Sequence, residues 1–361
     1  MRSLKRRLRP ILLTLTVLLV ITQIVFLSPT VLEETPAKPL TINSEELILD
    51  QGPTLVPGLP KARVAEYNIE TFTYVSVQNG IKQWKIDAEN AFLYNPERLV
   101  HARRVKAFLF DPEGKVTVVT GLEAKYFLNR KNLEIFGNVK TVFPDGFELY
   151  SEYLQYTPQT SRIFIPKTHL ATGLGQENQG QRFQFVSHGL DYDMGKALIK
   201  LLSDVTVTLT QASGANPEAG GVPENTKIES DRCLIHRQTK LAEFDMEASR
   251  PLKARFVHIT QPTLFAKGRR ADLSYGDFHQ ILQYLTAYED VFIKEKGETE
   301  SLRYATGGRA DFDTRRDLIV LTQFPQVYQN EDTVTGDVIV MHRDTDVIEV
   351  KHSNAFSTGK E

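Results

Sequence analysis

The pattern of apolar and polar residues divides the chain into one long apolar run and many short alternating segments. The long run spans residues 11–27 and contains no charged residue. From about residue 61 onward, apolar and polar residues alternate with a period of two, in segments bounded by Gly, Pro, Asn and Asp. This alternation is typical of β-strands joined by turns, and no helical period interrupts it. The pattern predicts an all-β protein behind a single N-terminal helix.

A repeated unit underlies the alternation. Each unit begins with a small or polar residue, has an apolar residue three positions later, and has an apolar or aromatic residue five positions later. The third and fifth positions share a parity, so both side chains are predicted to point to the same face of the sheet. The eight units begin at Ala88, Gly121, Ser151, Ser187, Ser230, Gly268, Gly307 and Thr335.

This parity predicts one continuous apolar interior, lined by the stacked units and by the second alternating run that follows most of them. The interior is either a packed core or a groove for a long apolar ligand, because the periodicity fits both. The predicted inward residues, acting collectively, are Ala91, Leu93, Ala124, Tyr126, Ile135, Val139, Leu154, Tyr156, Leu190, Tyr192, Leu201, Val205, Val207, Ala271, Leu273, Val291, Ile293, Ala310, Phe312, Val338 and Val340. The intervening positions predicted to face water include Lys125, Gln155, Asp191, Asp272 and Asp311.

Residues 10–28 are predicted to form a transmembrane anchor. The apolar run would be roughly 26 Å long as a helix, which is near the lower limit for crossing the hydrocarbon core. Five basic residues within residues 1–9 would hold that end in the cytoplasm and place the rest of the chain outside it. A cleaved signal peptide is the alternative, but the run is longer than a usual signal and no small-x-small cleavage site follows it.

Two further segments break the strand pattern. Residues 29–60 contain six prolines and are predicted to be an extended tether between the anchor and the folded part, which the resemblance described below would place in the periplasm. Residues 213–225 have the composition of a flexible linker. The folded part is therefore predicted to consist of two modules, residues 61–212 and residues 226–361.

Composition and motifs argue against several classes of function. The net charge of −2, without a basic cluster beyond residue nine, argues against nucleic-acid binding. The single cysteine, Cys233, excludes an internal disulfide, and its place in an inward slot predicts a buried small side chain. No histidine falls at a metal-ligand spacing, and no phosphate loop or nucleophile elbow is present, so we expect no metal, no cofactor and no catalysis. A polysaccharide hydrolase is a further alternative, but no carboxylate pair stands out.

Several aromatic and basic residues have two possible roles. Trp84 and the tyrosines at the ends of the units are expected either to gate the groove or to pack the sheet. A second set could contact lipid phosphates, or could belong to ordinary solvated strand faces. Its members are Lys125, Arg130, Lys131, Arg269 and Arg270.

Three stretches of the first module resemble the LptC family, the membrane-anchored periplasmic components of lipopolysaccharide export. They are Trp84–Glu89, Leu133–Val139 and Ser187–Met194. The second module resembles the OstA/LptA-type bridge domain, in residues 305–313, 317–329 and 334–339. The chain departs from that family at residues 248–251, where a strand of the Gly-Asn-Val type would be expected.

The resemblance implies a V-shaped antiparallel β-jellyroll or β-solenoid of two stacked OstA-like modules, whose interior holds acyl chains. It implies a non-catalytic inner-membrane protein, periplasmic in bulk, that accepts lipopolysaccharide from the permeases of an ABC transporter with a cytoplasmic ATPase. An LptA-like bridge protein or the outer-membrane translocon would bind the C-terminal edge. The alternative is a membrane-tethered β-scaffold that organises envelope proteins through its edge strands and carries no lipid.

Overall fold

The computed structural model describes residues 65, 67–78, 80–94, 98–111, 113–175, 181–211, 225–275, 282–296, 302–313, 316–329, 332–345, 347–352 and 354–357. The predicted cytoplasmic segment, anchor and tether lie outside the described residues, as does the predicted linker except for Asn225. No helix among the described residues is long and apolar enough to cross a bilayer. The described residues belong to one compact unit, residues 64–361.

The described residues form 24 antiparallel β-strands and two short 3-10 turns, which confirms the all-β prediction. The strands of the first module are mostly long. They are β1 (Tyr67–Gln78), β2 (Ile81–Tyr94), β3 (Leu99–Phe110), β4 (Val116–Phe127), β5 (Asn132–Val142), β6 (Glu148–Thr157), β7 (Arg162–Leu174), β8 (Gln181–Asp193), β9 (Leu198–Leu201) and β10 (Val205–Gln211). A 3-10 turn, Pro158–Thr160, follows β6.

The strands of the second module are mostly short. They are β11 (Thr226–Ser230), β12 (Arg232–His236), β13 (Leu241–Asp245), β14 (Val257–Thr260), β15 (Leu264–Gly268), β16 (Arg270–Tyr275), β17 (Leu282–Lys296), β18 (Leu302–Asp313), β19 (Leu318–Thr322), β20 (Gln326–Gln329), β21 (Asp332–Thr335), β22 (Val338–His342), β23 (Ile348–Lys351) and β24 (Asn354–Ser357). The departure at residues 248–251 lies in the loop between β13 and β14, before the 3-10 turn Leu252–Ala254. Both flanking strands keep two partners, so pairing continues past it.

The strands build two hydrogen-bonded ladders that share the long strands. One half of each long strand belongs to ladder A, and the other half belongs to ladder B. From β8 onward, ladder A contains β10, β11, β14, β15, half of β17, half of β18, β20, β21 and β24. Ladder B contains β9, β12, β13, β16, the other halves of β17 and β18, β19, β22 and β23.

The small residue that begins most repeat units lies where the chain crosses between the ladders. The pairing register shifts at these bends, as between Thr120 and Glu123 on β4. A Cβ on Gly121 would collide with the Ile135 side chain and would lie 3.2 Å from the Phe136 carbonyl oxygen. The bends therefore require small residues, because strands approach each other closely there.

Two rows of inward residues run through the ladders without a break. They cross from the first module to the second through β10–β11 and β9–β12, so each ladder is continuous across the two modules. In ladder A the row is Ile86, Ala107, Val119, Thr141, Leu149, Gly173, Phe185, Val207, Ile228, Ile259, Ala266, Ile293, Ala305, Val327 and Val334. In ladder B it is Leu93, Val100, Tyr126, Leu133, Tyr156, Ile163, Tyr192, Ile199, Ile235, Ala242, Leu273, Leu285, Phe312, Ile319, Met341 and Ile348.

The predicted frame of the last repeat unit is wrong by one residue. Ile339 and Met341 are the fully buried side chains of β22, whereas Val338 and Val340 are partly exposed. Val340 pairs with Val320, which itself pairs with the outward Asp311, so both predicted inward valines lie on the outer face. The four consecutive apolar residues of β22 carry no alternation from which the inward parity could be chosen.

Two outward positions are less exposed than predicted. Lys125 and Asp191 both lie on the outer face of ladder B, but both residues are buried. The Lys125 ammonium lies 5.5 Å from the centre of the Phe136 ring, and burial lowers its pKa. Asp191 forms an ion pair with Arg162 on the neighbouring strand. Alternation therefore predicted the direction of these side chains but not the neighbours that cover them.

Candidate lipid-binding interior

The inner faces of the two ladders pack against each other and form one hydrophobic cluster. Except for Leu93, Val338 and Val340, every predicted inward residue is buried in this cluster. Cys233 is also buried, as predicted, and desolvation raises its pKa. The described inward side chains contact one another and fill the interior. Whether these residues contact lipid stays a prediction.

The interior is partly exposed at the β1 end. β1 pairs only with β2 among the described residues. Tyr67 and Ile69 pair with inward positions of β2, yet they are 57% and 39% exposed. Small side chains line the interior nearby. They are Ala88, Ala91, Ala102, Ala107 and Ala124.

Each ladder has one end at the bends and a free end, where turns join its strands. The free ends of the two ladders approach each other along a line that we call the mouth. In the first module an aromatic cluster closes it. The Trp84 ring of ladder A lies 4.7 Å from the Tyr126 ring of ladder B and 5.2 Å from the Tyr74 ring, measured between centroids. Burial and a hydrogen bond with Tyr74 raise the pKa of Tyr126. The Trp84 indole nitrogen is buried without a hydrogen-bond partner among the described residues.

At the joint between the modules, an arginine crosses the mouth. Arg237 lies in the turn between β12 and β13, at the free end of ladder B. Its guanidinium forms an ion pair with Asp145, which lies in the turn between β5 and β6 at the free end of ladder A. It also donates a hydrogen bond of 2.9 Å to the Tyr192 hydroxyl and lies over the Phe143 ring. Burial lowers the pKa of Arg237 and raises that of Tyr192 to about 12.

In the second module a buried ionic cluster closes the mouth. Glu295 and Arg303 are cross-strand partners on β17 and β18, and their side chains are 3% and 1% exposed. The Glu295 carboxylate accepts one hydrogen bond from Arg303 Nη2 at 2.9 Å and one from Arg343 Nε at 2.7 Å. Arg343 lies between β22 and β23, at the free end of ladder B, and also donates to Asp317 at 2.9 Å and to Thr263 at 3.3 Å.

The sequence prediction missed this ionic cluster, although the alternation contained a signal for it. Glu295 continues the inward parity of Val291 and Ile293, and Arg303 has the parity of Ala305. A charge in an inward slot is unusual, because burying it is costly unless it is paired.

The basic residues proposed to contact phosphates are spread over three places. Arg130 and Lys131 lie in an exposed turn at the free end of ladder B. Lys125 lies on the outer face. Arg269 and Arg270 lie at the bends, within ion-pair distance of Asp290 and Glu289 respectively. The structure therefore does not bring these five residues together.

The described residues contain no group of three or more His, Cys, Asp or Glu side chains arranged to hold a metal ion. Their fold is an antiparallel β-jellyroll with a continuous apolar interior and no gap between its two modules. Residues 56–210 match the model of the LptC-related lipopolysaccharide-assembly family. Residues 222–347 match that of the LptA/LptD N-terminal family of LPS transport proteins. The chain therefore consists of an LptC-like domain fused to an LptA-like domain, which confirms the resemblance found in the sequence.

One solved structure similar to this chain is LptH from Pseudomonas aeruginosa, described as the LptA homologous periplasmic component of its lipopolysaccharide transport device. The two proteins are 12% identical. The match covers 37% of this chain and 95% of LptH, with a TM-score of 0.32. No curated protein matches the chain.

Proposed function

We propose that this protein forms the inner segment of a lipopolysaccharide export bridge. It would be anchored in the inner membrane with its bulk in the periplasm, accept lipopolysaccharide from an ABC transporter, and pass it towards an LptA-like protein or the outer-membrane translocon. The acyl chains would travel between the two ladders while the sugars remain in solvent. No bond is made or broken in this process, so the protein would act without catalysis.

The observation that carries this proposal is the continuity of the inward rows across the joint between the two modules. Each methylene transferred from water to an apolar environment is worth about 0.8 kcal/mol, so exposing several acyl chains between separate proteins would be very unfavourable. A continuous apolar lining avoids that exposure along the length of both modules.

Because the described interior is filled, transport requires the ladders to separate. Acyl chains would then replace contacts between inward side chains, and one apolar contact would be exchanged for another. The aromatic cluster and the two arginine contacts lie across the mouth, so they are the contacts that opening must break. The exposed β1 edge and the small alanine lining beside it support loading from this end.

Photocrosslinking in living cells tests whether lipopolysaccharide passes through the interior. A photoreactive amino acid at Leu201 or Ala271 should capture lipopolysaccharide, because both positions face the interior. The matched outward positions are Lys200 and Asp272, the chain neighbours of these residues. Capture confined to Lys200 and Asp272 would contradict an interior path.

A charge in the interior provides a second test. Leu190 and Leu201 are cross-strand partners, and both are buried. Leu190→Asp or Leu201→Arg should block lipopolysaccharide transport, because acyl chains that pass the new charge would remove water from it, and an unpaired charge is costly to bury. Lys200→Asp is the control, since its side chain is exposed. Newly made lipopolysaccharide should accumulate at the inner membrane in the two interior variants only.

The filled interior also fits the second candidate function, a tethered scaffold that binds envelope proteins through its edges. A scaffold with a permanently closed core would not retain lipid. Mass spectrometry of the full chain, extracted gently from cells, separates the two functions. Stoichiometric lipopolysaccharide supports the conduit, and its consistent absence together with normal partner binding supports the scaffold.

A further inference from the structure

The buried ionic cluster places charged side chains at one position along the mouth. In the first module, the buried residues at the corresponding end of ladder A are uncharged, and they include Trp84, Leu109, Thr117 and Leu209. In the second module, Glu295 and Arg303 follow Leu264 in the same cross-strand row. Apolar residues of similar size often stabilise a fold as well as a buried ion pair does. The fold alone therefore gives little reason for charges here.

The Glu295 carboxylate lies between two guanidiniums, an arrangement that also suits a phosphate. One oxygen accepts from Arg303 and the other from Arg343, so a single anionic group bridges two guanidiniums. Arginine presents donors in a planar fork that suits carboxylate and phosphate alike. The Thr263 hydroxyl and the half-exposed Asp317 complete the surroundings on the solvent side of Arg343.

We propose that Arg303 and Arg343 form a phosphate-binding site that is occupied by the Glu295 carboxylate when the mouth is closed. As the ladders separate, a phosphate group of the carried glycolipid replaces Glu295 between the two guanidiniums. Glu295 then turns into solvent at the opened mouth. This site rests on the proposed function, because it assigns the headgroup contact of the same transported lipid.

The exchange of the Glu295 carboxylate for a lipid phosphate couples lipid loading to opening of the mouth. In the closed state, the Arg343–Glu295 contact holds the end of ladder B against ladder A. A phosphate offers the arginines a more highly charged partner, so its binding offsets the loss of the ion pair that held the mouth shut. A lipid without phosphate breaks the same ion pair but supplies no replacement anion.

The test measures equilibrium binding of two radiolabelled lipids to the purified full chain. One is lipid A with two phosphate groups, and the other is the same lipid after phosphatase treatment. The wild-type protein should bind the phosphorylated form more tightly. Arg343→Met should weaken binding of the phosphorylated form on the order of tenfold and leave the dephosphorylated form unchanged.

Glu295→Gln separates a phosphate site from a purely structural ion pair. It removes the competing negative charge, so it should strengthen binding of the phosphorylated lipid, whereas a structural role predicts weaker binding of both lipids. The control is Arg309→Met, which removes an arginine that pairs with Asp311 on the outer face. If Arg343→Met does not fold, Arg343→Lys can be measured instead. It should retain part of the preference for phosphate, because lysine keeps the positive charge but lacks the planar set of guanidinium donors.

Three results would overturn the proposal. Equal wild-type binding of both lipids would exclude a phosphate site while leaving the apolar path intact. An equal loss for both lipids in Arg343→Met and Glu295→Gln would assign the cluster to stability alone. Failure of the wild-type protein to bind either lipid would contradict the proposed transport function as well.

Discussion

His101 is a titratable side chain that is buried on the outer face of a ladder rather than in the core. It is 1% exposed, and its Nε2 atom lies 3.0 Å from Glu123 Oε2. Desolvation lowers its pKa, although Glu123 acts in the opposite direction, and the charges of Arg103 and Lys125 lower it further. The folded protein therefore holds this imidazole neutral at a pH at which the unfolded chain begins to bind a proton.

This lowered pKa predicts a loss of stability in mild acid. As the pH falls through about 6.5, His101 becomes protonated in the unfolded state while it stays neutral in the folded state. The free energy of unfolding therefore decreases. Urea unfolding at about pH 7.5 and about pH 5.5 should show a larger loss for the wild-type protein than for His101→Gln. An equal loss in both would mean that other groups set the pH dependence.

Trp84 offers a direct report on opening of the mouth, because it is the single tryptophan of the chain. Lipid with bromine-labelled acyl chains should quench its fluorescence, since opening would bring those chains against the ring now covered by Tyr74 and Tyr126. The same lipid without bromine is the control. Bound lipid that leaves the emission unquenched would show that the path avoids the aromatic cluster.

At the scale of strands, the bends set the architecture, because they transfer each long strand from one ladder to the other. Gly121→Ala should destabilise the protein by roughly 1–3 kcal/mol, since the new methyl group would collide with Ile135 and crowd the Phe136 carbonyl. The control is Gly195→Ala, where the nearest atom, Asp193 Oδ1, would be 3.5 Å away. Guanidinium unfolding should separate the two variants, and equal stability would remove the steric argument.

Much of this element-level structure could be predicted from alternation alone. The sequence predicted the all-β class and the inward parity of most units, because apolar and polar residues alternate clearly in them. The prediction of inward positions was wrong in β22, because Val338, Ile339, Val340 and Met341 are all apolar. Alternation also says nothing about pairing partners, so it could not show that Glu295 meets Arg343, whose turn lies 48 residues away.

At the scale of the whole molecule, the two arginines that cross the mouth are far apart along it. Arg237 and Arg343 lie at the free ends of ladder B, and six strand spacings separate their turns. At about 4.8 Å per strand this corresponds to about 29 Å along the mouth. Under the proposed function, opening one arginine contact would not require opening the other, and the mouth would open in sections.

The continuous ladders also predict that the two modules remain associated without their peptide connection. A protease site placed within residues 213–221 and then cleaved should leave two fragments that elute together in size-exclusion chromatography. The pairing of β10 with β11 and of β9 with β12 holds them. Ile228→Pro should weaken this association, because Ile228 pairs with Val207 on β10 and proline removes a ladder donor there. Fragments that separate without that substitution would contradict the pairing.

The unbroken joint changes how such a bridge can be regulated. A bridge built from separate subunits can lose or exchange its first link, and its length then varies with the supply of each part. Here an LptC-like domain and an LptA-like domain are joined in one polypeptide, so they are made in a fixed ratio of one to one. Under the proposed function, control over assembly would therefore act at exposed edge strands such as β1, where a competing strand would displace a neighbouring protein.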